Sequence, residues 1–185
     1  MEKLLIVGAG GLGRMVMESA LEKFDCYFVD DNYQIDDQIC GIKAVGKIND
    51  IKDLKTRYDY LIVAIGNNAF REKLTNEAIS YGYKIPNIIN YSAYISPFAK
   101  FGYGCIVLSN ASIQNGAVLG NGVVITANVE VHHDATIDDY ALVYSNSTIR
   151  TYTHIGKRTK IGSNVTIKNN TKILEDSIIE DGDVR

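Results

Sequence analysis

From residue 93 onward the chain repeats every six residues without a break, a period that few folds accommodate. Ile95, Phe101, Val107, Ile113, Leu119, Ile125, Val131, Ile137, Val143, Ile149, Ile155, Ile161, Ile167, Ile173 and Ile179 are all apolar. Two positions ahead of each stands a small or β-branched residue, from Ala93, Ala99 and Cys105 to Val165, Thr171 and Ser177. Neither the helical period of about 3.6 nor the strand period of about 2 produces this pattern. A triangular coil with three six-residue sides does, because each side sends one aliphatic and one small residue inward. Eighteen residues then close one coil, and each residue lies above the one eighteen earlier at the β spacing of roughly 4.8 Å. Residues 89–185 are therefore expected to form a parallel β-helix of about five coils. Gly102, Gly120, Gly156 and Gly162 each follow an inward apolar residue and mark corners, where positive φ is expected.

The residues before the repeat follow another rule. Leu4 to Val7 form a continuous apolar run that enters Gly8-Ala9-Gly10-Gly11-Leu12-Gly13, after which Met15, Val16, Ala20 and Leu21 recur at helical spacing. The pattern predicts strand, tight turn and helix. Glycines let the backbone approach a ligand closely, and the free N–H groups at a helix start favour an anion such as a pyrophosphate. A second strand, 26–29, ends in Asp30-Asp31, where a carboxylate can accept from ribose hydroxyls or a base N–H. A third apolar run, 60–65, ends in Gly66-Asn67-Asn68 and leads into a helical segment over 69–81. Such alternation predicts a parallel sheet with its ligand at the carboxyl ends of the strands. Residues 1–88 are thus expected to form an α/β, Rossmann-like βαβαβ domain, too short for a complete dinucleotide fold. A plain strand-to-helix turn without a ligand is the other reading of the glycines.

Composition narrows the partners. A net charge of −3 provides no basic surface to neutralise a phosphate backbone, so nucleic acid is not an expected partner. Cys26, Cys40 and Cys105 lie too far apart for a CxxC or Cys/His site, and reduced, buried thiols with no metal are expected. Glycines interrupt the amino-terminal apolar run where a signal peptide would continue it, and no stretch reaches the roughly 18 to 20 apolar residues that span a bilayer. A cytoplasmic chain with no membrane partner is the expectation.

Hexads of this form, an aliphatic residue, often Gly, two variable residues, a small residue and one more, resemble those of the hexapeptide-repeat acyltransferases. Joined to Gly8-Ala9-Gly10-Gly11, Phe28-Val29-Asp30-Asp31 and Ala64-Ile65-Gly66-Asn67-Asn68, they make the whole chain resemble the sialic acid O-acetyltransferase and UDP-amino-sugar N-acetyltransferase branch. The resemblance implies a left-handed β-helix, a homotrimer, and acetyl-CoA as co-substrate in a groove between adjacent β-helices. It implies acetyl transfer to an amino or hydroxyl group of a nucleotide-linked or free sugar in bacterial surface glycan biosynthesis. Gly10, Gly11, Asp30, Asp31, Asn67 and Asn68 would line the acceptor pocket. His133-Asp134, ahead of Ile137, Asp139 and Tyr140, matches the catalytic pair.

The chemistry suits those residues. An amine or hydroxyl attacking a thioester must lose a proton, neutral imidazole is the usual base near pH 7, and a carboxylate beside it orients the ring. The resemblance places the oxyanion donor on a backbone N–H one coil beyond the base, at Thr151, with Asn169 one coil further, both beside the pantetheine arm. His132 is expected to flank the site or face solvent and His154 to be structural. Lys157, Arg158, Lys160 and Lys168 either meet CoA phosphates or form a solvated face. The chain differs from the family at Leu142, where a second His is common, at Thr151, commonly Gly, and at Leu12, often His. Ending at Asp181-Gly182-Asp183-Val184-Arg185, it is expected to lack the usual carboxy-terminal tail. These departures motivate a second reading, a non-catalytic or regulatory sugar-nucleotide-binding trimer. The glycine turn alone motivates a third, an NAD-dependent reductase.

Overall fold

In the computed structural model, which describes residues 1–185, Leu4, Leu5, Ile6 and Val7 are wholly buried. Consecutive strand residues face opposite ways, so both faces of the strand that carries them, β1 (Glu2–Val7), are covered. The chain divides into two units, Met1–Pro86 and Asn87–Arg185. In the first, β1 lies between β2 (Phe24–Val29) and β5 (Tyr60–Val63), parallel to both, with Val7 level with Val29 and Val63. Helix α1 (Gly11–Ala20) joins β1 to β2, and helix α3 (Asn68–Ser80) follows β5.

One part of this unit was not legible as an element. Between β2 and β5 run β3 (Gln38–Ile39), β4 (Ile42–Gly46) and the short α2 (Ile51–Leu54), giving a sheet of order β3-β4-β2-β1-β5. Strand β4 is parallel to β2, and β3 is an antiparallel edge. The β3–β4 turn has positive φ at both Cys40 (50°) and Gly41 (81°), the two-residue hairpin geometry that matches strand twist. Cys40 is exposed there, contrary to the expectation of three buried thiols; Cys26 and Cys105 are buried. Burial pushes the Cys26 thiol up to about 11 and the Cys105 thiol to about 12, which keeps both protonated.

The second unit is the left-handed parallel β-helix. Its strands are two residues long, from β6 (Ile88–Ile89) to β21 (Ile178–Ile179), and stack into one six-stranded and two five-stranded parallel sheets. Each pairing joins residues eighteen apart, as in Ser112 with Glu130, Thr136 with His154 and Val124 with Leu142. The repeat starts one hexad earlier than the sequence pattern suggested, because Ile88 and Ile89 already pair with Ile106 and Val107. The aliphatic and small positions together form the coil interior, from Cys105 and Val107 to Val165 and Ile167. At three polar small positions the hydroxyl donates to a carbonyl fifteen residues on: Ser147 to Gly162 (2.7 Å), Thr153 to Lys168 (3.1 Å) and Thr159 to Leu174 (2.9 Å). A fully buried hydroxyl therefore leaves no unmet donor.

The corners correct the glycine expectation. Left-handed backbone recurs at every sixth residue from Gly104 to Gly182, mostly at Gly, Asn and Asp, which tolerate it. Gly102, Gly120, Gly156 and Gly162 are not among those positions. Their constraint is the next coil: an added Cβ would crowd the backbone nitrogens of Asn121, Asp139, Glu175 and Asp181 at 2.8, 2.7, 2.5 and 2.7 Å. No helix is long and apolar enough to cross a membrane.

Candidate functional site

Each unit carries a concave or chemically organised region. In the first, a cleft of about 370 Å³ opens at the carboxyl ends of β1, β2 and β5, lined by Gly8, Gly10, Gly11, Asp30, Asp31 and Gly66 among others. The glycines divide by role. Gly8 (φ 101°) and Gly13 are required by the fold, since a Cβ on Gly8 would press on the Ala64 carbonyl and one on Gly13 on the Gly8 carbonyl. Gly10 and Gly11 are exposed, and a Cβ on either would meet nothing. Gly10 caps α1 without a side chain, so the first N–H groups of that helix open towards the cleft with no acidic residue in the first turn.

Asp30 is 9% exposed, and its carboxylate is already engaged. One oxygen accepts from the Ala9 N–H at 2.8 Å, the other from the Asn32 N–H at 2.8 Å and the Asn32 amide at 2.9 Å. Burial raises its pKa, but those donors and the Lys47 charge outweigh burial and hold the carboxyl below its usual value. Asp30 thus braces the glycine turn, where sequence reasoning had it accepting from a ligand. Asp31 accepts from the Ile48 N–H at 2.9 Å and remains exposed at the cleft. Asn67 and Asn68 are not among the lining residues: Asn67 is the N-cap of α3, its side chain accepting from the Phe70 N–H at 2.9 Å.

In the second unit the organised region is a corner of the β-helix. Asp134 has left-handed backbone (φ 60°), and its carboxylate lies over Gly116, eighteen residues earlier, where a Cβ would collide with it. That carboxylate accepts from His133 Nδ1 at 2.8 Å. The other ring nitrogen, Nε2, is 3.1 Å from the Thr151 hydroxyl one coil above. A carboxylate can only accept, so Nδ1 carries the proton, Nε2 of the neutral ring presents a lone pair, and the Thr151 hydroxyl donates to it. The His133 N–H donates to Gln114 Oε1 at 3.2 Å, and Tyr152 meets the ring edge-on at 6.0 Å between centroids. The Thr151 N–H has no acceptor within the chain, and Asn169 is exposed one coil further on.

The remaining histidines have partners of their own. His132 Nε2 lies 3.3 Å from Glu130, and His154 Nε2 lies 2.7 Å from Asp138. Arg158 forms a two-point pair with Asp176, and the Lys160 ammonium sits over the Tyr144 ring, so two of the basic cluster have structural partners. Leu142 is 1% exposed and outside the coil interior, an apolar packing position. Sequence reasoning missed Gln114, Gly116 and the Thr151 hydroxyl. Counting eighteen residues back from His132 and Asp134 finds the first two.

Known proteins share both units. The family model of the PglD N-terminal domain matches residues 3–78. The whole chain is similar to the acetyltransferase domain of PglB from Neisseria gonorrhoeae FA1090, at 29% identity and a TM-score of 0.94, covering 100% of this chain and 91% of that one. The same domain solved with acetyl coenzyme A aligns at 29% identity and a TM-score of 0.88, over 99% of this chain and 95% of that one. A mutant perosamine N-acetyltransferase from Caulobacter crescentus, solved with CoA and GDP-perosamine, shares the fold at 23% identity and a TM-score of 0.91. That match covers 100% of this chain and 89% of the other.

Proposed function

We propose that the chain is a hexapeptide-repeat sugar acetyltransferase that transfers the acetyl group of acetyl-CoA to a nucleotide sugar in glycan biosynthesis, with His133 as general base. The observation that carries the assignment of the base is the His133–Asp134 pair: Nδ1 is held by a carboxylate at 2.8 Å, which leaves Nε2 as the proton acceptor. The acceptor's amino or hydroxyl group gives its proton to Nε2 as it attacks the thioester carbonyl, and Asp134 stabilises the imidazolium that forms. The Thr151 N–H, lacking an acceptor within the chain, is suited to the oxyanion of the tetrahedral intermediate. Collapse expels the CoA thiolate, which takes the proton back from His133.

The cleft of the first unit is read as the seat of the sugar nucleotide. Gly10 and Gly11 support this, because no packing requirement explains a glycine at either. The α1 N–H groups are donors for a diphosphate, and Asp31 is the acceptor for ribose or base, while Asp30 holds the turn. A homotrimer in a bacterial cytoplasm is part of the same reading, a three-sided prism being suited to three-fold packing.

The test is release of free CoA thiol from acetyl-CoA in the presence of a panel of UDP- and GDP-linked amino sugars. Acceptor-dependent release that falls on the order of a hundredfold or more in His133→Ala, with the fold intact by circular dichroism, is the expected result. Undiminished release in that variant removes His133 from the mechanism.

A further inference from the structure

The atom that must accept the proton is not open in the free protein: the Thr151 hydroxyl already donates to it. We propose that Thr151 is a positioning residue for the base, its hydroxyl fixing the Nε2 end of the His133 ring until the acceptor's N–H or O–H takes its place. The proposal rests on the reading of His133 as general base and adds a side-chain role at a position for which only the backbone N–H was considered.

Three observations support it. The ring is gripped at both nitrogens by residues of different coils, Asp134 beside it and Thr151 above it, and the backbone of Thr151 is fixed by the Asn170 N–H donating to its carbonyl at 3.1 Å. Its side chain therefore stands on the rigid part of the molecule. The ring is half exposed, with its side chain 51% accessible, and packing alone does not hold it; besides the two hydrogen bonds it meets the edge of Tyr152. Finally, a hydroxyl that donates to Nε2 selects the same tautomer that Asp134 selects at Nδ1. The two contacts agree in keeping the proton off the accepting atom. When the acceptor arrives, its own N–H or O–H donates to Nε2 in place of the Thr151 hydroxyl. The Thr151 hydroxyl then turns to water or to the acceptor, and no proton is gained or lost at Thr151.

The experiment compares Thr151→Val, which keeps the shape and the backbone N–H but removes the hydroxyl, with Thr151→Ser, which restores it. Expected is a kcat lower by roughly three- to tenfold in Thr151→Val, with KM for acetyl-CoA unchanged and most of the rate recovered in Thr151→Ser. Nitrogen-15 spectra of the imidazole, read without substrate, should show His133 as the single Nδ1–H tautomer in the parent and exchange-broadened in Thr151→Val. Full activity in Thr151→Val, or a Thr151→Ser variant as slow as Thr151→Val, overturns the proposal while leaving the base in place if His133→Ala is inactive. A faster Thr151→Val enzyme would overturn it too, by making the hydroxyl a competitor of the acceptor. Incubation with acetyl-CoA alone followed by intact-mass measurement provides the last arm: an acetyl group retained on Thr151 would make the residue a nucleophile and also overturn the positioning role.

Discussion

Two histidines of the β-helix hold carboxylates at almost the same distance, and only one of the pairs leaves the outer ring nitrogen free of its carboxylate. His133 is 2.8 Å from Asp134 and His154 is 2.7 Å from Asp138, and their side chains are 51% and 45% accessible. Distance and exposure therefore do not separate them. The nitrogen engaged does. Asp134 follows His133 directly and takes Nδ1, the nitrogen near the backbone, which leaves the outer Nε2 to act on a substrate. Asp138 lies sixteen residues before His154, on the coil below, and takes Nε2. The lone pair of neutral His154 then sits on Nδ1, beside its own main chain, where an acceptor group approaches with difficulty. A hydrogen-bonded pair of that kind on an exposed face contributes about 0 to 1 kcal/mol and no chemistry.

The largest separation between the pairs should come from the rings themselves. We expect His133→Ala to lower kcat by about 10²- to 10⁴-fold and His154→Ala to keep it within about threefold, both measured as acceptor-dependent thiol release. Equal losses would mean that the engaged nitrogen does not decide the role. A smaller separation should come from the carboxylates. Asn at residue 134 can donate to Nδ1 and so favour the tautomer with the proton on Nε2, the wrong atom for a base. Asp134→Asn is expected to lower kcat at least about tenfold with little change in melting temperature. Asp138→Asn should leave both nearly unchanged, and a matching loss of rate there would break the distinction.

How much of this was legible in the sequence follows from how often each requirement is repeated. The β-helix states its rule in every hexad, so Ile137 or Val143 needed no structure to be placed inside. The corner rule is just as regular, yet it was attached to the wrong glycines: Gly120 lies where the next coil comes close, whereas the left-handed residue is two further on, at Gly122. Period alone does not tell steric approach from backbone sign. Asp30 was legible as a carboxylate at the strand end, but not as one spent on Ala9, because that depends on the path of a single turn. Likewise β3 and β4 join through Cys40-Gly41, and Cys at a left-handed position carries no turn signal. The contact between Thr151 and His133 needs the rotamers of two side chains, which the count of eighteen aligns but does not determine.

The least of the expected effects tests whether the coil below positions the His133–Asp134 pair. Gly116 and Gly182 both have left-handed backbone, at φ 71° and 77°, so alanine at either costs similar backbone strain, about 1 kcal/mol. Their surroundings differ: a Cβ at Gly116 runs into the Asp134 carboxylate, and one at Gly182 meets nothing within 4 Å. Gly116→Ala is therefore expected to lose stability and a further several-fold in kcat, because Asp134 must move off the Nδ1 that it holds. Gly182→Ala should lose stability by a similar amount and keep its rate. Paired thermal melts and initial rates separate the two. If Gly116→Ala were as active as Gly182→Ala, the position of Asp134 would be set by its own corner alone, and the contrast between the two histidine pairs would rest entirely on which nitrogen each carboxylate reaches.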